Sequence, residues 1–484
     1  MANFPKVAQF KDAAALRDRL KELQLDLPLD DEILTASAGS PLAEPHQFGE
    51  RRIGNRWCIH PMEGWDGNRD GMPGARTLRR WHNFGRSGAK LIWGGEAAAV
   101  DPAGRANPHQ CLAIPETKDG LAQLLDTVLS AHREHVGETD DLVVGLQLTH
   151  SGRFCRPNDS QLEPKIAYRH PVLDAKFKID PDDDSVLMTD AEVEQLIERY
   201  VTAAGLARDV GFQFVDVKAC HGYLMHEFLS ARSRPGPYGG DLEGRSRVLT
   251  TIIGRVREAY PELMVGVRLS AFDLIPYEQR DGNDIGQPID YEKLLPYECG
   301  FGVNQENPLQ IDMRETIALI RRLVELGVVA INVSCGSPYY VPHIQRPAFY
   351  PPSDGYQPPE DPLAGVARQV LATRQLKEAL PEVFFVGSGY TYLQEFLPHV
   401  AQAVIRQGWV DSVGLGRMVL SYPDLPQETL TAGTTTRKKV CRTFSDCTTA
   451  PRAGMISGCF PLDPYYHDLP EAAQLKEVKR KPRS

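Results

Sequence analysis

Residues 214–240 read FVDVKACHGYLMHEFLSARSRPGPYGG, and the fold turns on them. An apolar run ends in a packed group of functional side chains: Lys218, Cys220, His221 and Tyr223. A short helical pattern follows, and a Gly/Pro-rich loop closes on Tyr238-Gly239-Gly240. A strand whose C-terminal end presents hydrogen-bond donors into a cleft is how a (β/α)8 barrel builds an active site.

Outward from this stretch, β-rich runs alternate with helical patterns about eight times. The expected strands are 53–62, 90–96, 142–150, 214–221, 264–270, 329–335, 384–389 and 410–417. Helical segments between them include 191–210, 245–260, 313–326, 365–380 and 392–407. Near-continuous apolar strands alternating with amphipathic helices indicate a parallel sheet covered by helices, and eight such units indicate a closed TIM barrel.

Polar, Pro-rich insertions at 155–187 and 338–362 follow the third and sixth strands, where long loops serve as lids or substrate walls. The second carries five Tyr or Phe residues, which are costly to leave in water. Residues 1–50 form a helical extension in this reading, 51–424 the barrel and 425–484 a C-terminal appendage.

At 484 residues, 42% hydrophobic and 24% charged, the chain has ordinary globular composition and length for a barrel with additions. The net charge of −10 argues against nucleic-acid binding. A basic tail at 476–483 reads as a frayed, solvated end. No apolar run approaches the ~18–20 residues that span a bilayer, and the N-terminus reads as an amphipathic helix, not a secretory signal. Nine scattered cysteines point to reduced thiols and a cytoplasmic location.

Common nucleotide and metal signatures (G-x-G-x-x-G, the Walker loop, H-E-x-x-H, C-x-x-C) are missing, so any redox cofactor is held by the barrel itself. Gly387-Ser388-Gly389 and Gly414-Leu415-Gly416-Arg417 end the seventh and eighth strands. That is the usual place for a phosphate in a barrel, since bare backbone N–H groups can surround the dianion and Arg417 adds charge-assisted hydrogen bonds.

The stretch at 214–240 resembles the catalytic segment of the old yellow enzyme family, the FMN-dependent ene-reductases, near their dienoyl-CoA reductase and trimethylamine dehydrogenase branch. That family carries two donor side chains three apart, then Gly-Tyr-Leu, then a Tyr-Gly-Gly loop. Further matches follow at Pro61-Met62, Glu96-Ala97, Gln147-Leu148-Thr149-His150-Ser151-Gly152-Arg153 and Val267-Arg268-Leu269-Ser270. The resemblance spans roughly residues 50–420 and implies FMN at the barrel mouth, reduced by NADH or NADPH, passing hydride to an activated alkene. It implies that Pro61, Met62, Glu63, Ala97, Gln147 and Arg268 surround the flavin, with Ser388, Gly389, Gly416 and Arg417 at its phosphate. Tyr223 stands where the family keeps its proton donor, and Lys218 and His221 where it keeps the pair that polarises the substrate carbonyl.

Two departures mark this chain. Lys218 replaces the usual His or Asn, and Glu63 stands where relatives have Thr or Cys, which makes it a partner for that lysine. Iron–sulfur relatives also carry four cysteines after the eighth strand, the last two separated by eleven residues. Cys447 and Cys459 keep that gap, Cys441 is one residue out of place, and Thr443 stands at the second position. A [4Fe–4S] cluster takes four thiolates, so the loop reads as a vestige that has become a structural cap.

The expected reaction is NAD(P)H-dependent reduction of a C=C bond conjugated to a carbonyl, carboxylate or thioester. The alternative is flavin-dependent oxidation or demethylation of an amine, which the Tyr339-Tyr340 pair favours and a cationic Lys218 opposes. A barrel hydrolase or lyase acting on a phosphorylated substrate would explain the glycine clusters but leave Gln147 and Arg268 without a task. The expected partner is a small unsaturated molecule, and a homo-oligomer is compatible with the chain.

Overall fold

Runs of Val, Ile and Leu without polar alternation bury both faces of a strand, and helices must then cover them. A computed structural model describes residues 4–159, 161–280, 282–353 and 355–480. β1 (His46–Phe48) and β2 (Arg51–Ile53) form an antiparallel hairpin. Six parallel strands follow: β3 (Trp57–Ile59), β4 (Leu91–Ile92), β5 (Ala97–Ala99), β6 (Val143–Thr149), β7 (Phe214–Ala219) and β8 (Met264–Ser270). A second hairpin, β9 (Tyr277–Arg280) with β10 (Asn283–Pro288), precedes the parallel β11 (Val328–Ser334), β12 (Phe384–Gly387) and β13 (Ser412–Leu415).

The hydrogen-bonded order β3-β4-β6-β7-β8-β11-β12-β13 returns from β13 to β3, which closes an eight-stranded parallel barrel. All eight expected strands are present. The helix expected at 191–210 runs Asp190–Val210, and Thr189 starts it with a capping box to Glu192. Its residues Val193, Leu196, Ile197, Tyr200 and Ala204 recur at helical spacing and are buried against the barrel.

Three details depart from the sequence reading. The expected first strand, 53–62, is divided: Ile53 belongs to the hairpin, and the barrel strand is only Trp57–Ile59. The second is broken at Gly94 (φ 131°) and Gly95 (φ 45°), after which β5 resumes pairing with β6. A Cβ at Gly94 would lie 2.7 Å from the Gln147 backbone N, so only glycine permits this approach. A third long insertion, 271–312, carries the β9–β10 hairpin and packs on the sixth-strand loop through Tyr277 N–H to Tyr340 O at 2.9 Å.

The first hairpin plugs the N-terminal end of the barrel. Phe48 inserts between Trp93, Phe214 and Phe384 with ring centroids 6.0, 5.1 and 5.2 Å away. Ahead of it, Ala13–Glu22 is helical, capped by Asp12. Asp30 then ties the extended segment to the helix Leu397–Arg406 through Gln402 and Arg406.

The appendage crosses the opposite end, over the mouth. Arg79 grips Asp463 in a two-point pair (2.7 and 3.0 Å), Trp65 N–H donates to Ser457 Oγ at 2.8 Å, and Ser353 N–H to Thr449 Oγ1 at 3.2 Å. The basic tail is not frayed through Arg480. Glu471–Arg480 is helical, buries Ala472 and Leu475, and pairs Lys479 with Asp446 at 2.6 Å, while 481–484 lie outside the described residues. Ser160 and Asp354, inside the two Pro-rich insertions, also lie outside them. No helix among the described residues is long and apolar enough to cross a membrane.

Candidate active site

The C-terminal ends of the barrel strands surround a cavity of about 270 Å³, walled by Glu63, Gln147, Lys218, Tyr223, Arg268 and Arg417 among others. Backbone register places the first layer. Gln147 stands opposite Asp216 across β6–β7, and Lys218 opposite Arg268 across β7–β8. Asp216 ties the layer together, accepting from Gln147 Nε2 at 2.5 Å and from the Arg268 backbone N–H at 2.6 Å. Burial pushes its carboxyl up to about 6, and these hydrogen bonds act against that rise. The Arg268 guanidinium reaches Pro61 O at 3.4 Å, while its Nε is buried with no partner in the protein.

On the facing wall, β7 ends and the chain turns through His221 (φ 67°) and Gly222 (φ 78°). The end of β7 and this turn aim Lys218, His221 and Tyr223 into the cavity. His221 Nε2 lies 2.7 Å from Ser334 Oγ, and its backbone N–H donates to Ser270 Oγ at 3.0 Å. Burial, with Arg268 and Lys218 nearby, holds the imidazole neutral, well below its ordinary range. Burial also lowers the Lys218 ammonium, against the pull of Glu63 at 3.8 Å. Lys218 Nζ sits 3.6 Å from the Tyr223 ring centroid, a cation–π contact. Tyr223 O–H donates to Glu63 Oε2 at 2.5 Å and lies 3.1 Å from the Tyr339 hydroxyl. Burial and the Glu63 carboxylate together raise the Tyr223 phenol well above its usual value.

Glu63 is fixed from behind. Gly64 N–H donates to Glu96 Oε1 at 2.9 Å, and Glu96 with Asp66 clamps the buried Arg80 at 2.9 and 2.8 Å. Burial pushes the Glu96 carboxyl up to about 7, against Arg80. The expected Glu96-Ala97 step beside a flavin therefore supports the loop from the rear, and Ala97 is buried in β5 outside the cavity lining. His226 accepts from Gly222 N–H at 2.8 Å, and Glu227 pairs with buried Arg153 at 2.6 Å, so both brace the turn. Cys220 is buried, its thiol pushed up to about 11.

The far end of the cavity is cationic. Ser388, Gly389, Gly416 and Arg417 line it beside Arg346 and Arg452. A Cβ at Gly416 would meet open space. Burial and the like charge of Arg346 lower the Arg417 guanidinium to about 9. Arg346 donates to Ser445 Oγ at 2.8 Å, but its Nε and Nη2 are buried without protein partners. Cys447 reaches the cavity wall, whereas Cys441 and Cys459 lie buried outside its lining. Thr443 is buried, its N–H on Cys441 Sγ at 3.4 Å.

Sequence reasoning missed His60, Arg346 and Arg452, and of the Tyr339-Tyr340 pair it named, only Tyr339 lines the cavity. His60 lies 3.0 Å from both Asn332 Nδ2 and Ser388 Oγ, joining three strand ends far apart in sequence. The only available signal was its position beside Pro61. Arg346 and Arg452 lie in an insertion and the appendage, where no periodicity places a side chain.

An eight-stranded parallel barrel with such a cavity at its C-terminal mouth defines a barrel enzyme. Residues 41–290 match the NADH:flavin oxidoreductase / NADH oxidase family. The chain belongs to this family, the old yellow enzymes, and is an NAD(P)H:flavin oxidoreductase of that type. It is 28% identical over 396 residues to an NADPH dehydrogenase of Geobacillus sp. (strain WCH70), covering 80% of this chain and 92% of that one. Among solved structures it resembles a 2-naphthoyl-CoA reductase in complex with 2-naphthoyl-CoA (TM-score 0.64, 18% identity), covering 88% of this chain and 57% of that one. It also resembles histamine dehydrogenase from Rhizobium sp. 4-9 (TM-score 0.60, 18% identity), covering 88% of this chain and 52% of that one.

Proposed function

We propose that the chain uses FMN and NAD(P)H to reduce a C=C bond conjugated to a carbonyl, carboxylate or thioester. The observation that carries this reading is the wall made by His221, Lys218 and Tyr223, three hydrogen-bonding groups aimed into one cavity from a single strand end.

The cavity suits FMN in its polar inventory. Buried Arg268 Nε and Arg346 Nε and Nη2 lack protein partners, and such atoms are costly unless a ligand satisfies them. In this proposal Gln147 and Arg268 meet the polar edge of the flavin, Pro61, Met62 and Glu63 lie against its ring, and Ser388, Gly389, Gly416 and Arg417 hold its phosphate with help from Arg346. When bound, FMN supplies hydride taken from NAD(P)H.

The protein supplies charge stabilisation and a proton. Hydride reaching the β-carbon sends negative charge to the conjugated oxygen, where Lys218 and neutral His221 donate. The α-carbon, now basic, takes a proton from Tyr223. The Glu63 carboxylate faces Lys218 at 3.8 Å, so the site receives a neutral as well as an anionic substrate.

A specific feature keeps the amine reading open as the alternative. The Tyr223 and Tyr339 rings line the cavity beside the Glu63 carboxylate, with Tyr339 backed by Phe154 at 3.8 Å, and rings with an acid suit a cation.

Half-reaction kinetics test the proposal. Tyr223→Phe slows reoxidation of the reduced flavoprotein by an enone by about 10²-fold or more, while reduction by NAD(P)H changes far less. Equal loss in both half-reactions removes Tyr223 as the acid. Rapid reduction by methylated amines, with none of the enone reaction, replaces the alkene reading with the amine one.

A further inference from the structure

Tyr223 does not stand alone. Its hydroxyl bridges the Tyr339 hydroxyl at 3.1 Å and Glu63 Oε2 at 2.5 Å, and Glu63 lies 3.8 Å from Lys218 Nζ. The chain of contacts therefore runs Tyr339, Tyr223, Glu63, Lys218. Each comes from a different part of the molecule: the loop after β11, the turn after β7, the end of β3 and β7 itself. Tyr339 also lines a second cavity of about 330 Å³ outside the first, bounded by Trp65, Arg156, Lys176, Glu278 and Arg452 among others. It stands in the wall between the two, with one face stacked on Phe154.

In this geometry the Tyr223 proton points at a carboxylate and not at a substrate. A phenol whose hydrogen is held by an anion is a poor donor to carbon. Something must first fill the carboxylate.

We propose that Glu63 is a further catalytic residue, a proton store loaded from the outer cavity through Tyr339 and Tyr223. The inference rests on the alkene reading above. A proton enters at the Tyr339 oxygen. The Tyr339 hydrogen passes to Tyr223, and the Tyr223 hydrogen passes to Glu63. Glu63 is now a neutral acid donating to the Tyr223 oxygen, and the new Tyr223 hydrogen is free to turn to the substrate. Hydride forms the C–H bond at the β-carbon. The Tyr223 O–H bond breaks as the second C–H bond forms at the α-carbon, and Glu63 returns its proton to the phenolate. One solvent proton and one hydride are consumed per alkene, and Glu63 ends as a carboxylate beside Lys218.

Charged and titratable groups from several elements face this relay. Glu63 is faced by Lys218 from β7, Tyr223 from the turn and Cys155 from the loop after β6. Lys218 is faced by Arg268 and Asp216, and Tyr339 by Arg156 and Arg452. Because each turnover draws one solvent proton through the relay, the alkene step falls as pH rises.

The test is stopped-flow reoxidation of the reduced holoenzyme by 2-cyclohexen-1-one across pH 5.5 to 9. The wild-type rate declines with pH, whereas Glu63→Gln gives a slow, flat profile, since an amide neither stores nor releases the proton. Glu63→Asp restores the slope. Tyr339→Phe cuts the solvent end of the relay, lowering the rate about tenfold and enlarging the solvent deuterium effect. A Glu63→Gln profile with the wild-type slope overturns the relay. So does a wild-type profile that is flat or rises with pH. If Glu63→Gln does not fold, Tyr339→Phe with unchanged rate and isotope effect overturns it instead. Reduced wild-type enzyme that no pH allows the enone to reoxidise overturns the alkene reading, and the relay with it.

Discussion

Glu63 and Lys218 show how two residues that depart from a family pattern in sequence resolve as one unit in space. Burial lowers the Lys218 ammonium, and the Glu63 carboxylate 3.8 Å away acts against that fall. That pairing was legible in the sequence because both positions carried odd residues at once. The role of Asp273 was not legible. It is buried behind the sixth-strand loop, and the Tyr340 hydroxyl donates to its Oδ2 at 2.5 Å. Burial outweighs that hydrogen bond and raises its carboxyl from 3.8 to about 7. Between those values the folded state holds a proton that the unfolded chain has released, so this contribution is full below about pH 4 and is lost as pH rises toward 7. Asp273→Asn therefore flattens the decline of unfolding free energy between about pH 4 and 7, measured by denaturant titration. A parent and variant with parallel profiles would mean that Asp273 ionises freely in the native fold.

At the scale of elements, what the sequence reading got right follows from burial. β6, β7 and β8 are buried at every position, as strands of a parallel barrel covered by helices must be. What it blurred follows from glycine and from short strands. LIWGGE reads as one strand, but two positive-φ glycines break it so that Gln147 can approach. Only Ile53 of the β1–β2 hairpin was read into the first strand, and β1 was read into the helical extension at 1–50, because three-residue strands carry too little periodicity to separate. That hairpin supports the barrel's lower end. Phe48→Ala leaves a cavity among Trp93, Phe214 and Phe384 and costs ~3–5 kcal/mol. Guanidinium unfolding measures this, and a cost below ~1 kcal/mol would show that the plug is peripheral.

Across the whole molecule, the mouth is assembled from pieces that have no local relation. The loop after β11 and the appendage meet over the cavity, supplying Arg346 and Arg452, and the hairpin insertion packs on that loop. Arg346 extends the cationic end beyond what Arg417 alone would give. Arg346→Ala raises the FMN dissociation constant about tenfold or more, as loss of a charge-assisted hydrogen bond predicts, and leaves riboflavin binding within about twofold. Fluorescence quenching of apoprotein by the two ligands reads the difference. Equal weakening of both would place Arg346 away from the phosphate.

The sequence by itself determined the eight parallel strands, their closure into a barrel and the strand ends from which Gln147, Lys218, Tyr223, Arg268 and Arg417 project. These follow from local burial and from the fixed register of consecutive βα units. Only the tertiary structure decided that Glu96 props a loop from behind, that His60 joins three strand ends, and that Tyr339 bridges two cavities beside the Tyr223–Glu63 pair. Those arrangements depend on where insertions land across the mouth, and long loops carry no repeating pattern that fixes their path.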